Sequence, residues 1–111
     1  MSTGHIVSGE PINLENLTEN LQDDSTYALV KTSDMEVIRM YLPHGKCIEE
    51  HSVQGEMSVH CLKGDIFFNV DGKGMELTED DWLYLDKEQS YSYSVKSDTI
   101  LLVTILFTNN K

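Results

Sequence analysis

The sequence predicts an all-β domain, a sandwich or barrel of short strands, preceded by a short N-terminal helix or arm. Three observations predict it. From Tyr27 onward, short apolar or alternating runs are separated by turn residues at close intervals, the rhythm of a sandwich or barrel. One run, Ser90-Tyr91-Ser92-Tyr93-Ser94-Val95, alternates without a break, as a strand with one wet and one dry face does. The length of 111 residues fits one domain with one core.

Residues 1–26 read as an arm. Leu14, Leu17 and Leu21 recur at helical spacing, and Asn13 stands where a capping side chain would start a helix. No lysine or arginine precedes Lys31, whereas Glu10, Glu15, Glu19, Asp23 and Asp24 do. Residues 27–111 read as the barrel. Strands are expected over Tyr27–Lys31, Met35–Leu42, 46–53, 56–62, 65–70, 75–78, Trp82–Leu85, 90–96 and 99–107. Thr32-Ser33-Asp34, Pro43-His44-Gly45, Gln54-Gly55, Lys63-Gly64 and Asp71-Gly72 separate the earlier ones. Asp71-Gly72 is the strongest hairpin signal of the set.

Nineteen acidic residues against eight basic ones give a formal charge of −11. That balance excludes nucleic acid as a partner, because a binder must neutralise phosphates with Lys and Arg. It equally excludes anionic membrane surfaces. The longest apolar run, residues 100–107, is interrupted by Thr104 and is too short to span a bilayer. Residues 1–10 lack the charged-then-apolar order of an export signal. Cys47 and Cys61 are therefore expected as reduced thiols in the cytoplasm, and Asn16-Leu17-Thr18 as an unused glycosylation pattern.

Alternation assigns faces. Cys47, Glu49, His51 and Val53 share one side of their strand, and Met57, Val59 and Cys61 share one side of the next. Tyr91, Tyr93 and Val95 share a side of the late strand. The more apolar set of each is expected inside. That reading places Glu49 and His51 on the inner wall, as a polar pocket or its rim. His60 is expected outward, and His44 in an exposed turn. No nucleophile elbow or phosphate-cradling glycine loop is present.

Gly45, five residues and then His51 resembles the opening of the first cupin signature. In that signature His-x-His follows the glycine, then a Glu and, six residues later, a Gly. Here the second His falls on Val53 and the Glu on Met57, while Gly64 matches. The second signature would lie on Asp86, Glu88 and Tyr91, and none of them matches. The run 98–105 resembles the closing strand of small single-domain cupins of the RmlC-like type.

The resemblance covers residues 41–105 and implies a jelly-roll barrel, a double-stranded β-helix, with homodimers formed through its sheets. It also implies four metal-ligand positions, which here read His51, Val53, Met57 and Tyr91. Valine has no lone pair, a thioether suits soft ions, and a phenol holds its proton to about pH 10. No cofactor is therefore expected, with His51 the one weak metal candidate.

The favoured reading is a metal-free barrel that binds a small molecule or serves regulation, with Met57, Tyr91, Tyr93 and Trp82 walling a pocket and His51 and Glu49 orienting the ligand. One alternative is a metal-dependent cupin enzyme of oxygenase or isomerase type, holding a divalent transition metal through an atypical ligand set. The other is a structural or partner-binding dimer with a filled barrel.

Overall fold

The computed structural model describes residues 6–18 and 25–107. A single 3-10 turn, Leu14–Leu17, precedes seven strands: β1 (Tyr27–Lys31), β2 (Met35–Leu42), β3 (Cys47–His51), β4 (Gly55–Val70), β5 (Lys73–Thr78), β6 (Trp82–Leu85) and β7 (Tyr91–Phe107). Every pairing is antiparallel. The architecture is the jelly roll that the cupin resemblance implies.

Two long strands serve both layers. The first half of β4 pairs with β6 and with the second half of β7, and its second half pairs with β5 and with the first half of β7. The first layer is thus β1-β2-β7-β4-β6, and the second is β3-β7-β4-β5. Between them lies the main core. Ile66, Phe68, Val70, Tyr91, Tyr93 and Val95 of the second layer meet Met57, Val59, Cys61, Leu101, Val103 and Ile105 of the first.

The sequence reading divides β4 at Lys63-Gly64, but the chain does not turn back there. Instead the β4–β7 ladder shifts register three times between Cys61 and Ile66. Such bulges bend a strand without reversing it, and here they carry β4 from one layer to the other. Gly64 makes the bend possible. Its φ is +104°, and a Cβ there would lie 2.4 Å from Thr99 Oγ1 and 2.5 Å from the Asp98 carbonyl oxygen. Thr99 is fully buried at the matching bend of β7. Its hydroxyl donates to the Ser97 carbonyl at 2.7 Å and accepts the Asp65 N–H at 3.1 Å. The expected break between 96 and 99 is therefore also a bend inside one strand.

Asp71 and Gly72 both adopt positive φ, 51° and 85°, and form the tight turn between β4 and β5. In the arm, the Asn13 side chain accepts the Glu15 N–H at 2.9 Å and caps one turn rather than a longer helix. Leu21 and His5 lie outside the described residues. Leu17 packs with Leu29, Leu62 and Ile100 on the outer face of the first layer, in a cluster separate from the main core.

Candidate functional site

The site is built first from the four positions of the cupin frame. β3 runs antiparallel to the start of β7, and this sets His51 opposite Tyr91. The two rings meet edge to face, with centroids 5.7 Å apart. The Phe68 ring lies 5.9 Å from the Tyr91 ring and 5.4 Å from the Tyr93 ring. Burial pushes the Tyr91 phenol up to about 12, with Tyr93 adding to the rise, so the phenol keeps its proton. Met57 is buried between its ladder partners Leu85 and Ile105. Val53 is half-buried against the same core, and its carbonyl accepts the Glu88 N–H at 3.2 Å, which joins two loops across the barrel mouth.

These positions hold one imidazole, one protonated phenol, one thioether and one aliphatic group. Among the described residues, no three His, Cys, Asp or Glu side chains are grouped to hold a metal ion. The donor set does not fit a hard divalent metal such as Fe, Mn or Ni.

Several of the residues expected inside face the other way. On β3, Ile48 is the half-buried residue packed on the core, whereas Cys47, Glu49 and His51 are exposed. The ladder slips between Ile48 and His51, so simple alternation fails along this strand. Glu49 and His51 are thus exposed rather than on the inner wall. Trp82 is also corrected: Leu83 and Leu85 take the interior side of β6, and Trp82 points outward with 60% of its surface exposed. Met57, Tyr91 and Tyr93 do come together inside, packed against neighbours. Cys61 is buried beside them, and its thiol is pushed up to about 11, mainly by burial, so it stays protonated and unreactive.

While Val7, Ile12 and Leu14 of the arm and Phe67 of the second layer are exposed elsewhere, exposed apolar residues gather on the outer face of the first layer. There Trp82 and Tyr84 of β6 stand beside Ser58 of β4, and beyond it come Thr104 and Leu106 of β7. A groove of about 250 Å³ runs through this face, lined by these residues with Glu56 and Met57. Tyr84 donates its hydroxyl to the Glu56 carboxylate at 2.9 Å, which raises the phenol's pKa and satisfies the one charge in the groove. Next to it, the His60 ring lies 3.4 Å from an Asp80 carboxylate oxygen. A second cleft, of about 460 Å³, separates the 3-10 turn from the β5–β6 turn and is lined by Glu15, Lys63, Glu79 and Asp80 among others.

Sequence reasoning missed Arg39, a fully buried cation of β2. Its Nε donates to the Leu17 carbonyl at 2.9 Å, its Nη1 donates to the Ser25 carbonyl, and its guanidinium lies 5.6 Å from the Tyr27 ring centre. One charge in the otherwise apolar run Val37-Ile38-Arg39-Met40 was the available signal.

Two solved structures match almost end to end. A cupin superfamily protein from Desulfitobacterium hafniense has a TM-score of 0.78 at 16% identity, over 97% of this chain and 100% of that one. The fold is that of the cupins. A conserved protein of unknown function from Streptococcus pyogenes matches with a TM-score of 0.76 at 19% identity over 99% and 98% of the two chains. A predicted oxalate decarboxylase from Thermotoga maritima matches 66% of each chain, with a TM-score of 0.58 and 26% identity. No protein-family model and no curated protein matches the chain. No described helix is long and apolar enough to cross a membrane.

Proposed function

We propose that this chain is a metal-free cupin that works by association, pairing with a second copy of itself through the outer face of its first layer. The observation that carries the reading is the contrast between a barrel centre packed with Phe68, Tyr91, Tyr93 and Met57 and an outer face with exposed Trp82, Tyr84 and Leu106. Large exposed apolar patches mark interaction surfaces.

The groove argues for a second copy as the occupant. Ser58 and Thr104 are small, and Trp82 and Tyr84 stand as a ridge beside them. Ridge and groove therefore occur on one face, and a two-fold axis would seat each copy's ridge in the other's groove. A chain of charge −11 repels its like, so two copies would meet best where charge is scarce. Glu56 is the one charge lining the groove, and it is hydrogen-bonded to Tyr84.

Sedimentation velocity, with metal analysis of chelator-free protein, tests the proposal. Twice the chain mass, reduced to the chain mass by Trp82→Asp, with no stoichiometric metal, is the expected result. A monomeric wild-type protein overturns it. Stoichiometric Fe, Mn, Ni or Zn that is lost in His51→Ala would favour the metal-dependent enzyme instead. A small molecule that quenches Trp82 fluorescence in a monomeric protein would favour the ligand-binding reading.

A further inference from the structure

We infer that Arg39 latches the N-terminal arm over the other half of the same sheet face, making the arm a strap that limits how much apolar surface is open to association. The outer face of the first layer is continuous. Along β7 its outward residues are Ile100, Leu102, Thr104 and Leu106, and along β4 they are Ser58, His60 and Leu62. The arm covers one end of this face, where Leu17 packs on Leu29, Leu62 and Ile100, with Ile6 and Leu102 at the margin. The other end, from Ser58 and Thr104 to Trp82, Tyr84 and Leu106, lies outside that cluster.

The means of attachment suit a strap. The Ile6 N–H donates to the Leu29 carbonyl at 2.9 Å. Arg39 holds main-chain carbonyls at Leu17 and at Ser25, on the two sides of the connection from the arm to β1. Closing the arm takes a guanidinium out of water, which opposes closure. The charge-assisted bonds and the burial of Leu17 favour it. Opposing terms of this kind leave the arm free to open while the barrel stays folded, since segments joined by few contacts open independently of the core.

The inference that the arm shields against association rests on the pairing proposed above, whereas the latch itself does not. Hydrogen–deuterium exchange tests the latch in the full chain with Arg39→Met and, independently, with Leu17→Ala. Both substitutions are expected to speed exchange of amides 6–18 by tenfold or more and to leave those of β4 and β7 unchanged. Unchanged arm exchange in folded Arg39→Met protein overturns the latch, as does acceleration spread evenly over arm and barrel. Sedimentation of the same variants tests the shielding: a higher average mass than wild type is expected, and faster arm exchange without that gain overturns it. A monomeric wild type would defeat the pairing alone, leaving the exchange result to decide the latch.

Discussion

The two outer faces of this barrel differ in chemistry although one strand contributes to both. Through its first half β7 presents Ser92, Ser94 and Lys96 outward, beside Asn69, Glu76 and the one exposed aromatic, Phe67, of the second layer. Through its second half it presents Ile100, Leu102 and Leu106, beside Leu62 and Trp82 of the first layer. The inner residues stay apolar throughout, with Tyr93, Val95, Leu101 and Val103 all buried. A strand that needed only to close a barrel would keep a polar outer face along its whole length. The change of character falls at the Ser97–Thr99 bend.

The largest expected effect lies at the bend that joins the two faces. Gly64→Ala puts a Cβ against Thr99 and the Asp98 carbonyl at positive φ, and is expected to lower the unfolding free energy by about 3 kcal/mol. Urea denaturation would show it. A loss below about 0.5 kcal/mol, the range of ordinary surface changes, would mean that the two layers do not depend on this bend.

Next comes a direct contrast of the faces. Leu106→Asp is expected to weaken self-association by about 30-fold, equivalent to about 2 kcal/mol, the scale of an interface hot spot. Ser94→Asp adds the same charge to the other face and is expected to leave association within about threefold, under 1 kcal/mol. Equal effects measured by equilibrium sedimentation would erase the distinction between the faces.

The smallest effect concerns the polar face alone. A hydrogen bond with the Asp65 carboxylate raises the Glu76 pKa above its usual value, with Asp65's charge adding to it. A carboxyl whose pKa is raised by folding favours the native state when protonated. That contribution is present in acid and is lost as pH rises through the raised value. Glu76→Gln is expected to raise the thermal midpoint slightly at neutral pH and to flatten its dependence on pH in the weakly acidic range. An unchanged profile would show that the two carboxyl groups do not share a proton.

Much of the fold was legible where the strands are short and their turns carry distinctive residues, whereas the long strands β4 and β7 were read as pairs. Tyr27–Lys31, Met35–Leu42 and Trp82–Leu85 match the expected strands residue for residue. Tyr91 and Tyr93 were placed inside because serines alternate with them and leave only one apolar face. The site was less legible. In Trp82-Leu83-Tyr84-Leu85 both faces are apolar, so parity alone cannot say whether aromatics or leucines point inward. On β3 a register slip removes parity as a guide, and one Ile outweighs Cys47 for the core position. Arg39 shows in the sequence as a lone charge in an apolar run, but the main-chain carbonyls of Leu17 and Ser25 that receive it leave no residue-type pattern to read.

The shared strands have a further consequence. Because β4 and β7 each run unbroken through both layers, neither sheet owns a complete set of strands. Pulling one layer apart drags two continuous backbones out of the other, so the barrel has no seam along which it can come undone by halves. Damage on either side is therefore expected to reach the whole, with the two layers melting as one cooperative unit.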